Sequence, residues 1–417
     1  MLERFSPETV HKQLTTRLRQ QLADFITIAE EVSPRALRDQ LGANALRILG
    51  SIQGANPHDI VTDPQVVSWL HIAATIVNAY EDNLTNCRLW LDHLSDLNLL
   101  AAGMALATGN DFDFRIHNPR GHTVRFPGVG VSMRGVPQGE TLSVVVRGGQ
   151  CVNVPAGIVA ETIRIADYEF VFRGDPIVVP DVPGYMQIQR DQFDGRWASA
   201  LRRAHDLLLI GSKSQEVVRY FARLVGPLES AAANIHLSVT SGTFQNAIFL
   251  SYNEDPLVLA EAIVHEGDHN LVYGLTRVVD LWGNSSALDS AVYWSPWRDD
   301  ARPLDGILRG ASAFTTVSEW LLDITSSPSV APEVRRRSYL RAVRTARQVV
   351  RALEQIHQFG TDLLTAEGAS FLAQLDARIQ CVADIVKSFP GYSDYAVEVA
   401  HEIRQHQERH SRCGIDA

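Results

Sequence analysis

The sequence predicts an α+β fold, mostly helical, with a β-rich insert and a short strand pair leading into one chemistry-bearing helix. Three observations predict it. Long stretches at both ends space their apolar residues three and four apart, as amphipathic helices do. Over residues 109–192 that period gives way to short β-prone runs broken by Gly, Pro and Asn. Helical periodicity then returns and is interrupted once, by two strand-like runs just before residue 255. The 417 residues suffice for about two or three structural units. The α, then β, then α order separates the element types as α+β proteins do.

The elements divide the chain into an N-terminal helical region (1–108), a β-rich insert (109–192), a catalytic core (193–330) and a C-terminal helical region (331–417). In the first, VHKQLTTRLRQQLADFITIAEEV reads as an amphipathic helix. QVVSWLHIAATIVNAYEDNL and DHLSDLNLLAAGMALATG follow as two more helices. The insert runs from DFDFRIHNPRGHTVRF to DPIVVP. In the core, a helical stretch precedes the strand-like runs NIHLSVTS and NAIFLSY, joined by GTFQ. The helix LVLAEAIVHEGDHNLVYGL comes next, with Asp255 as N-cap and Pro256 at its first position. A loop rich in Trp, Pro, Gly and Asp, a helix around 307–324 and a long helical tail from about 331 to 411 complete the chain.

Composition excludes several classes. Hydrophobic residues make up 45% and charged residues 21%, which is globular rather than disordered. A formal net charge of −10 argues against a nucleic-acid partner, which would be met by a basic surplus. No stretch approaches the ~18 apolar residues needed to span a bilayer, and the start MLERFSPETVHKQL does not read as a secretory signal. The expected location is the cytoplasm. Cys87, Cys151, Cys381 and Cys413 are far apart and form no CxxC, so they read as reduced thiols. Any metal would need His and carboxylate ligands.

The segment His265-Glu266-Gly267-Asp268-His269 supplies such ligands. Positions i and i+4 of a helix lie one turn apart on one face, so two imidazoles there can share a divalent ion. Glu266 points to a neighbouring side, where it can act on metal-bound water. This is the HExxH arrangement, known for zinc binding with a general base. With the strand run before it, it gives a zincin-like strand-plus-metal-helix core. Downstream, Glu319 and Asp323 are again one turn apart. As in the gluzincin arrangement, Glu319 would complete the metal site and Asp323 would orient a ligand His through its free N–H. An ordinary acidic pair facing water has the same spacing.

The loop from Tyr293 to Leu304 gathers Trp294, Trp297, Pro296, Pro303, Arg298 and Arg302. Prolines and aromatics stiffen such a loop, and a fixed guanidinium holds a carboxylate through two parallel hydrogen bonds. Salt bridges to the neighbouring aspartates would use the same arginines structurally.

The runs SVTSGTFQNAIFLSYNEDPLVLAEAIVHEGDH, SPWRDDARPLDGILRGASAF and VSEW together resemble the HExxH-motif proteins of bacterial ribosomally made, modified-peptide clusters. These are understood as iron(II)- and 2-oxoglutarate-dependent peptide β-hydroxylases. The likeness is clearest over residues 238–320. It implies that His265 and His269 are iron ligands. Arg298, Arg302 and Arg309 become the candidates to grip 2-oxoglutarate, and Glu319 the carboxylate of a two-His-one-carboxylate triad. Relatives are expected to carry His where this chain has Arg309, so a family ligand is either lost here or replaced by Glu319. The implied reaction hydroxylates a side-chain carbon, Cβ by the resemblance, of a precursor peptide.

Two alternatives stand beside it. A zinc metallopeptidase would use Glu266 to take a proton from metal-bound water, whereas the iron chemistry needs no such base. A metal-free scaffold subunit of a peptide-modifying complex would keep the fold without the ion. The arginine loop favours iron, because a peptidase has no use for a dicarboxylate clamp. Gly267, costly inside a helix by about 1 kcal/mol, either leaves room for substrate or marks divergence.

His236, Ser238 and Ser241 lie on or beside the strand preceding the metal helix, where an extended peptide could add along an edge. Phe314 and Trp320 read as core. His401, His406 and His410 read as a solvated helix end.

Overall fold

A computed structural model describes residues 5–32, 45–50, 60–80, 84, 87–94, 96–117, 123–129, 131–134, 141–153, 159–162, 164–165, 168–170, 195–228, 236–283 and 292–412. The architecture is mostly helical with small sheets, an α+β arrangement. The chain forms two compact units. One holds Lys12–Ala198 and Arg223–Tyr252; the other holds Met1–His11, Ser199–Ala222 and Asn253–Ala417.

Helix α1 (Pro7–Val32) opens the chain. The first unit then adds α2 (Ala45–Gly50), α3 (Pro64–Ala79), α4 (Arg88–Leu94) and α5 (Leu97–Thr108). Asp63 caps α3 by accepting from the Gln65 amide, and its buried carboxylate also takes two bonds from Arg125, at 2.9 and 2.6 Å, and one from the Gly128 amide. That pairing holds the carboxyl below the usual range although burial alone would push it up. The β-rich region supplies β1 (Phe112–His117), β2 (Thr123–Phe126), β3 (Val131–Arg134), β4 (Thr141–Arg147), β5 (Gln150–Cys151), β6 (Val159–Thr162), β7 (Arg164–Ile165) and β8 (Tyr168–Phe170). The expected run DPIVVP lies outside the described residues.

Three sheets follow, ordered β1-β4-β5, β2-β3-β6 and β10-β11-β9-β8-β7. Here β9 is Leu224–Leu228, β10 Ser238–Thr240 and β11 Ala247–Ser251. Strands β9 and β11 run parallel and are buried at every position, as parallel strands covered on both faces are. The expected strand pair exists as β10 and β11, antiparallel. Its sheet is completed by β7 and β8 of the β-rich region, because β9 pairs with β8. The strand pair therefore belongs to that unit, not to the unit of the HExxH helix.

The other unit is built from helices: the end of α6 (Gly195–Leu208), α7 (Ser212–Phe221), α8 (Pro256–Val278), α9 (Leu304–Ser326), α10 (Pro332–Phe359), α11 (Ala366–Lys387) and α12 (Tyr392–Arg412). The expected single tail is three helices, broken at Gly360 and near Gly391, which sits at φ 78°. That is a conformation glycine reaches without steric cost. Helix α9 is buried on nearly all sides and packs against α7, α8, α10 and α11. Among the described residues, no helix is long and apolar enough to cross a membrane.

Candidate metal centre

Helix α8 starts as the sequence dictates. The Asp255 side chain accepts from the Leu257 amide at 3.0 Å, and Pro256 stands at the first turn. Leu259, Ile263 and Val264 are fully buried, which sets the helix's rotation. Gly267 has a packing reason: a Cβ there would sit 3.0 Å from Val217 Cγ1 of α7.

His265 and His269 meet as the spacing requires. Their Nε2 atoms are 3.0 Å apart and the rings stand at 89° to each other. With metal–imidazole bonds of about 2.1 Å, two ligands at right angles have nitrogens ~3.0 Å apart. The separation in the structure therefore equals that of two ligands at right angles on one ion. Without one, a single Nε2–H bridges the rings. Each ring keeps some exposure but lies deep. Burial, helped by the Arg341 cation, pulls His265 down to about 4; burial, His265 and Arg309 pull His269 well below its usual value. Both rings are thus neutral near pH 7, the form that coordinates metals. His265 Nδ1 is buried without a hydrogen-bond partner.

The surroundings are aromatic on one side and cationic on another. Phe314 of α9 lies with its centroid 4.5 Å from that of His265, and Trp297 lies behind it at 5.1 Å, tilted by 47°. Both are only partly buried, so Phe314, expected to be core, borders the imidazole pair; Trp320 is core, 1% exposed. Arg309 pairs with Asp305 at 3.0 Å and lies over the Tyr273 ring. Arg341 holds Glu261, one turn before His265, through Nε and Nη2 at 2.9 and 2.7 Å.

The other expected site residues distribute differently. Arg298 and Arg302 both pair with Asp300, at 2.7 and 2.6 Å, and are half exposed. Of the three arginines expected as clamps, Arg309 is the one whose charge helps lower a ring of the pair. Glu319 is not brought to the imidazoles. Arg378 Nε and Nη2 hold its oxygens at 3.1 and 2.8 Å, and Lys213 adds a bond at 2.7 Å. Burial raises this carboxyl, but the two cations outweigh it and leave it low. Asp323 bonds neither histidine; its Oδ2 lies 2.7 Å from where a Gly211 Cβ would be. The reason is rotational. Glu319 and Asp323 lie on the stripe of α9 that includes Ser312 and Thr316, whereas His265 meets Phe314. Among the described residues, no group of three or more His, Cys, Asp or Glu side chains is placed to hold an ion. Glu266 is buried, 4% exposed.

The proposed peptide groove also changes. Strand β10 is the end strand of its sheet, and Ser238 on it is partly exposed. Ser241 is 1% exposed and accepts from the Phe244 amide in a turn, so it lines no groove. His236 Nδ1 lies 3.2 Å from Ser251 Oγ.

Three features escaped the sequence. Asp268, at an unspecified position of the motif, is fully buried and accepts from Ser312 Oγ and Thr316 Oγ1, each at 2.6 Å. Arg378, 110 positions downstream by the numbering, completes that cluster. His406 is not a solvated helix end: its Nδ1 accepts from Trp294 Nε1 at 3.0 Å and its Nε2 faces Asp299 at 3.2 Å. A hydroxyl pair one turn apart on an apolar helix was the available signal for the first.

Comparison with models of known protein families finds no match, and none of the curated proteins matches significantly. The fold and the site thus define a mostly helical α+β protein with a paired-imidazole helix turn.

Proposed function

We propose that His265 and His269 hold one divalent metal ion, and that the protein is an iron(II)- and 2-oxoglutarate-dependent enzyme hydroxylating a side-chain carbon of a ribosomally made peptide. The observation that carries this reading is the 3.0 Å separation of two neutral Nε2 atoms. The resemblance over residues 238–320 supplies the reaction class. Bound iron with 2-oxoglutarate would supply the oxidising power. The chain's own part is to offer two uncharged nitrogens, to place the ion-paired Arg309 and Arg341 beside them, and to screen one side with Phe314 and Trp297. The resemblance favours iron over the zinc-peptidase alternative, in which Glu266 would be the base on a zincin-like core. The carboxylate of the expected triad is engaged elsewhere, so a third protein ligand is not part of the proposal.

One observation favours the metal-free scaffold: the described residues bring no third donor to the pair. Anaerobic titration with iron(II) separates the readings. The proposed enzyme binds about one ion per chain, loses it in His265→Ala and His269→Ala, and forms succinate from 2-oxoglutarate with a one-oxygen mass gain in the peptide. Peptide cleavage with zinc would select the peptidase. A wild-type protein that binds no divalent ion near neutral pH would select the scaffold.

A further inference from the structure

The buried hydroxyls of α9 divide by what they bond. Thr315, Ser318 and Thr325 each donate to the carbonyl four residues back, at 2.7 Å, the local partner a helix offers any such side chain. Ser312 and Thr316, one turn apart, do not. They donate instead to the two oxygens of Asp268, which lies three residues after His265 and one before His269. Arg378 Nη2 donates to Thr316 Oγ1 at 2.8 Å. That occupies the hydroxyl oxygen from one side and leaves its only proton for Asp268. Through its Nε and Nη2 the same guanidinium holds Glu319, so α8, α9 and α11 are tied at one point.

We propose that Ser312, Thr316 and Arg378 are positioning residues that act through Asp268 to set the rotation and height at which α8 presents its imidazole pair to Phe314 and Arg309 of α9 and to Arg341 of α10. The inference rests on the proposed metal site and deepens it. A single hydrogen bond would leave rotation about itself free. Two bonds, to the two oxygens of one carboxylate from hydroxyls one turn apart, resist both turning and sliding. The demand for this is geometric. Side-chain ends stand roughly 6 Å from a helix axis, so a turn of about 10° displaces them by ~1 Å. The pair moves as one with α8, but the ring and the cations that face it belong to α9 and α10, and a functional constellation tolerates about 0.5 Å.

The test uses the full chain and cobalt(II), whose visible ligand-field bands report the donor set directly. Thr316→Val keeps the shape and removes the hydroxyl; Thr316→Ser keeps the hydroxyl. The valine variant is expected to weaken cobalt(II) binding about 10-fold, the low end of the range for outer contacts of a metal site because Asp268 bonds neither histidine, and to shift the bands, while the serine variant stays within about threefold. Ser312→Ala, expected to behave like the valine variant, serves if that one fails to fold, with thermal melting of the metal-free proteins as the check. Wild-type affinity and bands in a folded Thr316→Val or Ser312→Ala protein would overturn the inference while leaving the metal site standing. Wild-type protein that takes up no cobalt(II) would overturn the metal site and this inference with it.

Discussion

Replacing Glu319 with alanine decides between two roles that the sequence leaves open. A metal ligand contributes nothing to the metal-free protein beyond the repulsion its charge creates, so its loss should leave the metal-free protein unchanged or firmer and remove the ion. An ion-pair partner behaves in the opposite way. In the structure both Glu319 oxygens are taken by Arg378, with side chains 15% and 16% exposed respectively. The second partner, Lys213, is 58% exposed and adds at most about 1 kcal/mol. Removing Glu319 leaves the Arg378 guanidinium buried with Asp268 as its remaining nearby anion, and breaking such a pair costs about 3–5 kcal/mol. In a unit of about 200 residues, that lowers the melting temperature of the metal-free protein by roughly 6–20 °C. The check is thermal melting without metal for wild type, Glu319→Ala, Arg378→Met and the double variant. The double variant should be clearly more stable than the sum of the two losses implies, because it no longer buries a lone charge. Unchanged melting of Glu319→Ala, joined to complete loss of metal binding, would refute the ion-pair account and return Glu319 to the ion.

Other outcomes follow from single contacts. His406→Ala removes the acceptor of the Trp294 indole and the partner of Asp299; it should cost about 1–2 kcal/mol, change the tryptophan emission, and leave metal uptake intact. A Cβ on Gly310 would lie 2.8 Å from Trp297 Cε2 and 3.0 Å from its Nε1. Gly310→Ala should therefore push the indole off Phe314, seen as an emission shift, with the helix-propensity gain of about 1 kcal/mol offsetting part of the strain. For pH the sign is fixed by the depressed histidines. The unfolded chain protonates near 6.5 and the folded His265 only at about 4, so acid favours unfolding and the metal-free protein weakens as pH falls from about 6.5 towards 4. For His265 the loss between pH 7 and pH 5 is at most about 2 kcal/mol. Urea titrations at the two pH values should show this slope reduced in His265→Ala; an unchanged slope would mean the ring is not held neutral by its surroundings.

Local rules were legible wherever one helix supplied all the partners. The i, i+4 spacing of His265 and His269, the Asp255 cap and the Pro256 start are all contained in a single stretch of chain, and the structure realises them. Glu319 and Asp323 were legible only as a pair one turn apart. Spacing fixes that they share a face of α9, but not which neighbour that face meets. The structure turns that face to Arg378, Lys213 and Gly211. Likewise His406 looked solvated because its partners, Trp294 and Asp299, are more than a hundred residues away. The strand pair read correctly as strands, yet its sheet is finished by β8 and β7, a pairing that no local pattern encodes.

The sequence by itself determined the helical and β-rich regions, the capped start of α8 and the juxtaposition of its two imidazoles, because period, cap and turn chemistry act over a few residues. Only the tertiary structure decided that Asp268 is the buried carboxylate beside them, that Glu319 answers to Arg378, and that Phe314 stands against His265. Those outcomes depend on how helices rotate and pack, and packing is settled by the burial of distant side chains against one another rather than by neighbours along the chain.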